Sequence, residues 1–256
     1  MTHLKVRCLI QRQRINMSNP TRFLSGVATV PATLPLGSYP FSDPFHTSGS
    51  AGKHVATYSN DFFDIGTTTA YTISGGGAVA LGVGAAGISG TLVLTPASAT
   101  ASAVTRAATA FSFSIGNKFW FLQRIRASAV TGVMSMFFGL NTANAAITAD
   151  GLYFRKAASQ LNLDLVSVVN GTTTVLAAAV ATVAAATYLD VGFYYDGTDL
   201  LVYVSDSLVA RISSPTIGAT ATTLTSAYLS PVFQITPVGT ENLNVDYVLV
   251  ANEIVR

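Results

Sequence analysis

Apolar and polar residues alternate with period two along Thr109–Ile115 (TAFSFSI) and again along Leu161–Val169 (LNLDLVSVV), which predicts strands with one buried face. Lys118–Ala127 (KFWFLQRIRA) starts apolar on both faces and ends charged, and Val133–Leu140 is an almost continuous apolar run. Asn170-Gly171 separates the Leu161 strand from Thr172–Leu176. Both residues tolerate positive φ, so the pair predicts a tight hairpin. Asp196-Gly197 repeats the device between Tyr188–Tyr195 and Leu200–Val204, and Ser205-Asp206-Ser207 leads into Leu208–Ile212. Leu229–Thr236 and Leu243–Glu253 are the late strands. About a dozen short strands joined by polar turns indicate a sandwich or a barrel. Ala177–Ala186 (AAAVATVAAA) is the one helix candidate by alanine content. It has no N-cap and no charged face, and it is read as strand, loop and strand.

Three segments follow from this pattern: a basic leader over 1–16, an extended arm over 17–54 and a β body over 55–256. The arm holds Pro20, Pro31, Pro35, Pro40 and Pro44, and proline disfavours regular pairing. It also holds Phe23, Leu24, Leu34, Leu36, Tyr39, Phe41 and Phe45, too many large apolar groups for a free linker. The arm is therefore expected to lie on another surface, its own domain or a neighbour. Residues 78–95 contain no charge, which raises a membrane span. The glycines, Ser89, Thr91 and Thr95 within it, and Gly75-Gly76-Gly77 before it, favour strands around a glycine turn.

Charge changes this picture. Only 10% of residues are charged, against about 25% in an ordinary soluble domain. That excludes a solvated disordered chain and argues against a long coiled coil. Lys5, Arg7, Arg12 and Arg14 sit in the leader without an acid, so the net +2 becomes −2 for the rest of the chain. The leader is a non-native start, a basic arm or a disordered tail, and four charges do not make a nucleic-acid site. Residues 65–105, 127–149, 165–189 and 212–240 are wholly uncharged, which suits a subunit surrounded by neighbours.

Chemistry is sparse. Glu241 and Glu253 are the only glutamates, twelve residues apart, and with Asp246 they do not give a close carboxylate set on one strand. His3, His46 and His54 lack metal-ligand spacing, and Cys8 lacks a partner. Gly82, Gly84 and Gly87 match a dinucleotide-loop spacing without the required helix or acid. Asp150-Gly151 and Asp196-Gly197 are read as turns. Asn60-Asp61-Phe62-Phe63-Asp64 is read as an acidic edge entering a core strand. Trp120, Tyr153, Tyr194, Tyr195, Tyr203 and Tyr228 could build a sugar platform but are read as core. Arg124, Arg126, Arg155 and Lys156 are read as solvated strand ends. No catalytic residue, cofactor or metal is assigned, and no enzyme is expected.

The order FSFSIGNKFWFLQRIRA, MSMFFGL, DGLYFRKAASQLNLDLVSVVNGTTTV, YLDVGFYYDGTDLLVYVSDSLVARI and NLNVDYVLVANE resembles the concanavalin A-like (laminin G-like) domains. This resemblance covers residues 109–256 and implies an all-β jelly-roll β-sandwich. MSNPTRFLSGVATVPATLPLGSYPFSDPFHT followed by TYSNDFFD resembles the start of tailed-bacteriophage virion structural proteins, often head decoration proteins. That second resemblance implies a capsid decoration (cement) protein on the virion exterior, a homotrimer bound to the major capsid protein. Phe23, Leu36, Tyr39 and Phe41 would be its apolar contacts, and Arg22 would meet an acidic group of that partner. The alternative is a glycan-binding head or tail fibre domain for host attachment. Neither nucleic acid nor a membrane is expected as a partner.

Overall fold

The computed structural model describes residues 47–48, 53–62, 71–82, 90–97, 101–106, 111–131, 133–142, 149–224 and 228–255. The strands are β1 (Thr47–Ser48), β2 (Lys53–Asn60), β3 (Tyr71–Gly75), β4 (Gly77–Gly82), β5 (Thr91–Pro96), β6 (Ser102–Arg106), β7 (Phe119–Ala127) and β8 (Ser135–Asn141). They continue with β9 (Gly151–Lys156), β10 (Asn162–Val169), β11 (Thr172–Thr182), β12 (Leu189–Tyr195), β13 (Leu200–Val204) and β14 (Ser207–Ile212). One helix, α1 (Ser214–Leu224), precedes β15 (Ser230–Thr236) and β16 (Leu243–Val255). All pairings are antiparallel and form two sheets. Sheet A runs β1-β2-β16-β7-β12-β13-β14, with β5 and β4 attached beside the start of β16. Sheet B runs β11-β10-β9-β8-β15-β6-β3.

Alternation along each strand fills the space between the sheets. Phe119, Phe121 and Ile125 of β7, Val191, Phe193 and Tyr195 of β12, and Val248 and Val250 of β16 point inward from sheet A. They meet Phe138, Leu140, Leu152, Phe154, Leu163, Leu165, Phe233 and Ile235 of sheet B. Phe154 and Phe193 touch across the core at 6.3 Å between ring centroids. Each buried phenylalanine contributes about 1.5–3 kcal/mol by removal from water, so the aromatic content goes far towards holding the two layers together.

The turns form where their residues accept left-handed backbone. Asn170 (φ 50) and Gly171 (φ 74) close β10 onto β11, and Ser205 and Asp206 (φ 45 and 64) close β13 onto β14. At 196–199 the Asp196 carboxylate accepts the N–H of Thr198 and of Asp199, both at 2.8 Å, so Asp196 serves its turn. Residues 77–82 and 91–96 pair as β4 and β5, as the strand reading of the uncharged 78–95 stretch expects. No helix among the described residues is long and apolar enough to cross a membrane.

The alanine-rich candidate is strand throughout its first half. β11 continues to Thr182, and Leu176, Ala177, Val180 and Ala181 pack on the core. Ala179 (φ 51) lies where the register shifts, its N–H held by the Asp164 carboxylate at 2.8 Å. The helix lies elsewhere, in the uncharged 212–240 stretch. The carboxylate of Asp199 accepts the Ser214 N–H at 3.0 Å and binds Arg211 Nε at 2.7 Å. Ile217, Thr220 and Leu224 turn inward and are buried, and Thr220 donates to Ser167 of β10 at 3.2 Å.

Lys156 corrects the solvated strand-end reading. It is fully buried, and its ammonium donates to the carbonyls of Thr131 (2.9 Å) and Met134 (2.6 Å). Arg124 is not at a strand end either, since it stands in the middle of sheet A between β16 and β12.

Candidate functional site on the outer face of sheet A

The second face of sheet A carries its own order. Registers place Tyr247 (β16), Arg124 (β7) and Asp190 (β12) side by side. The next row is Ser59, Leu249, Leu122, Gly192 and Tyr203, and the row beyond it is Thr57, Ala251, Trp120, Tyr194 and Leu201. Trp120 and Tyr194 stack at 5.3 Å between centroids, 23° apart in plane. With Leu122, Leu201, Tyr203, Leu249 and Ala251 they form an apolar cluster separate from the main core. The reading of the aromatics as core holds for Trp120, Tyr153, Tyr194, Tyr195 and Tyr203, all buried, but only Tyr195 fills the space between the sheets. Trp120, Tyr194 and Tyr203 belong to this outer face, Tyr153 packs with Phe137, Val166, Val168 and Val232 in a third cluster, and Tyr228 is exposed.

A bulge creates the polar end of the face. The β16–β7 register shifts between Val245 and Tyr247, so Val245 and Val248 both reach the main core while Tyr247 packs against the outer cluster. Asp246 is the extra residue, and a bulge of this kind re-aims side chains. On the opposite side of β16, β5 pairs with Leu243–Val245 and β2 with Val248–Val255. Asp246 and Tyr247 thus sit in a break between two partner strands. A cavity of about 270 Å³ opens there, lined by Ser59, Asn60, Asp61, Leu122, Tyr247, Val248 and Leu249. The end of β2 shapes its mouth. The Asn60 side chain accepts the Phe62 N–H at 2.7 Å, which sends Phe62 (φ 54) into the core and leaves Asp61 exposed.

Arg124 organises the charges. Its guanidinium is 3.5 Å from the Asp246 carboxylate and 3.8 Å from that of Asp190. The Tyr247 hydroxyl donates to Asp190 at 2.9 Å, and Arg124 lies 4.8 Å over the ring of Tyr188, with Arg126 at 5.8 Å from the same ring. The Arg124 and Asp190 side chains are 36% and 35% exposed and that of Asp246 is 14% exposed, so the network is open to a ligand. Burial raises the pKa of Asp246 above the ordinary carboxyl value, as do the neighbouring carboxylates Asp190 and Asp61, against the lowering effect of Arg124. Burial and the Asp190 carboxylate raise that of Tyr247. The arrangement offers carboxylate acceptors, a guanidinium donor, a phenol and aromatic rings within one face.

The other sequence candidates lie apart from this face in role or outside the described residues. Arg22, Phe23, Leu36, Tyr39 and Phe41, with His3, Cys8, His46, Phe63 and Asp64, are outside them. Glu241 accepts the N–H of Gly239 (2.7 Å) and of Val238 (3.1 Å) and the Thr131 hydroxyl (3.3 Å), and Glu253 accepts the Lys118 N–H at 3.1 Å. Both serve local structure. Arg155 stands 4.0 Å from Asp164. Among the described residues no three His, Cys, Asp or Glu are grouped to hold a metal ion. Sequence reading missed Asp190 and the role of Asp246. The alternation of β7 and β12 could have placed Arg124 and Asp190 outward, but only the strand pairing shows that they are neighbours.

No known family model matches the sequence, and no curated protein is similar to it in sequence. Solved structures are similar in fold. The endo-1,3-beta-glucanase from Streptomyces sioyaensis superposes with a TM-score of 0.53 at 12% identity, over 80% of this chain and 98% of that one. The carbohydrate recognition domain of Emp46p in its metal-free form gives 0.52 at 14%, over 76% and 95%. Arcelin-5, a lectin-like defense protein from Phaseolus vulgaris, gives 0.51 at 13%, over 79% and 99%. The expectation that the chain is not an enzyme is corrected by the first of these, because a glucanase is built on the same architecture over nearly its whole length. The absence of a carboxylate set in the sequence does not exclude catalysis here. The two antiparallel sheets are a concanavalin A-like jelly-roll sandwich, in accordance with the resemblance seen in residues 109–256.

Proposed function

We propose that this chain binds carbohydrate on the outer face of sheet A, at the Tyr247–Arg124–Asp190 row and the adjoining cavity. The observation that carries the reading is the bulge at Asp246, which brings a carboxylate and a phenol of adjacent residues to one break in the sheet beside Arg124 and Asp190. Vicinal sugar hydroxyls are bound by such sets of planar polar groups, and a few placed polar groups on a mainly apolar surface are typical of small-ligand sites. Leu122, Leu249 and Tyr188 supply that apolar surface. Arg124 is set against Asp190 and Asp246, with Asp61 acting on Asp246 as well, so the carboxylates outnumber the guanidinium they face and the site favours neutral over sulphated or uronic sugars. The names of the structural neighbours, a carbohydrate recognition domain and a lectin-like protein, support the reading at the level of fold.

A glycan array with neutral and anionic members tests it. Binding to neutral oligosaccharides, lost in Arg124→Ala, is expected. Absence of binding to every glycan at millimolar concentration, or binding that Arg124→Ala leaves intact, overturns it. The capsid-decoration expectation rests on the arm residues Arg22, Phe23, Leu36, Tyr39 and Phe41, which lie outside the described residues.

A further inference from the structure

Sheet B ends in β11, whose eleven residues, TTTVLAAAVAT, include no charge and no proline, and which is exposed over much of its length. Edge strands of soluble monomers are ordinarily blunted by lysine, proline or a covering segment. Within β11 such devices are two register irregularities, one at Leu176 and one around Ala179, both beyond the Thr172–Val175 stretch next to the turn. β14, the end of sheet A, lies against β11, so both sheets end on one flank. That flank presents Leu161 (51% exposed), Val175 (47%), Leu208 (53%) and Val209 (44%).

Next to the turn, over Thr172–Val175, the backbone of this flank also points outward in a regular way. Asn170-Gly171 makes a two-residue turn, so Val169 and Thr172 exchange hydrogen bonds and the pairs alternate from there. Thr173 and Val175, opposite Val168 and Val166, fall in the pairs that do not bond to each other. Their N–H and C=O groups point away from β10 to the open edge.

We propose that a second copy of this chain pairs along this flank, β11 antiparallel to β11 about a twofold axis, which continues sheet B across a dimer. An identical strand brings no charge to a strand that has none, and it offers a C=O to each outward N–H and an N–H to each outward C=O, residue i meeting j and j meeting i as a self-complementary interface requires. At ~3.3 Å per residue the strand is about 36 Å long, and a flank spanning sheets ~10 Å apart, with their side chains, is about 20 Å wide. The resulting footprint of about 700 Å² per copy is close to the ~800 Å² of a standard stable interface.

Light scattering coupled to size exclusion, over a concentration series, tests the pairing. The wild-type chain is expected at twice its 26.6 kDa mass. Val175→Pro, which removes an outward donor without touching the β10 ladder, and Val175→Lys are expected to be monomers with unchanged circular dichroism. Hydrogen exchange of the wild type adds an arm that needs no variant: the Thr173 and Val175 amides are protected in the dimer and exchange on dilution. A monomeric or trimeric wild type, a dimer that persists in both variants, or a dimer with those amides unprotected overturns the proposal.

Discussion

Lys156 and Glu241 share one loop junction by different means. The buried ammonium of Lys156 relies on the carbonyls of Thr131 and Met134, and burial lowers its pKa below the ordinary lysine value. Lys156→Met keeps the stem and removes the donor, which leaves two buried carbonyls unpaired. The expected cost is about 1–3 kcal/mol, read from urea midpoints. Glu241 is opposite in sign. The backbone N–H groups, that of Gly239 first, and the Thr131 hydroxyl hold its carboxyl below the ordinary 4.5, against the effect of burial. A carboxyl depressed in the folded state stabilises fully above its unfolded value and loses that contribution as pH falls through the folded one. Thermal melts are therefore expected to show Glu241→Gln well below wild type near neutrality. The gap closes as pH drops below 4.5. A gap of constant size across that range would show that the carboxylate charge is not what the loop uses.

At the alkaline end the tyrosines act together. Burial raises Tyr71, with Tyr58 adding to the effect, and burial also raises Tyr153 and Tyr247. A phenol raised in the folded state stabilises below its unfolded value of 10.0 and loses that contribution as pH climbs through the folded one. Stability is expected to decline above pH 10, and Tyr71→Phe, which removes one such group, is expected to flatten the decline in melts followed by circular dichroism.

Among elements, the hairpins were the most legible, because their signal is local. Asn170-Gly171 sits at positive φ in both residues, and a Cβ on Gly171 would meet nothing within 4 Å. Gly171→Ala is expected to cost about 1–2 kcal/mol, the strain of the left-handed backbone alone. Gly139 on β8 is the reverse case, with a Cβ 2.3 Å from the Leu152 carbonyl oxygen and 2.8 Å from Tyr153 Cα. Gly139→Ala must move backbone and is expected to cost about 3 kcal/mol, so urea unfolding should rank it well below Gly171→Ala. Helix α1 was not legible, because Thr216, Ile217, Gly218, Thr220, Thr222 and Thr223 are weak helix formers. Its formation follows from the burial of Ile217, Thr220 and Leu224. The bulge at Asp246 was not legible either. It exists because β5 and β2 share one side of β16, and that is a fact of non-local pairing.

For the whole molecule, the low charge has a definite location. The uncharged 165–189 stretch supplies most of β10 and all of β11, the open flank of sheet B. Arg124, Arg126, Asp190 and Asp246 form one charged group on sheet A. Composition suggested a surface meant to be covered, and the exposed uncharged edge strand β11 is where the proposed pairing would cover it. The jelly-roll was readable from strand order. What the fold does was not, because one architecture serves a glucanase and lectin-like proteins alike, and function depends on the side chains a fold carries.

Equilibrium titration of the best array glycan into wild type, Arg124→Ala and Asp246→Asn tests that assignment most directly. Loss of at least about tenfold in affinity for each variant, equivalent to about 1.4 kcal/mol, with unchanged melting, is the expected result. Equal affinity in all three proteins would place the ligand elsewhere and contradict the account.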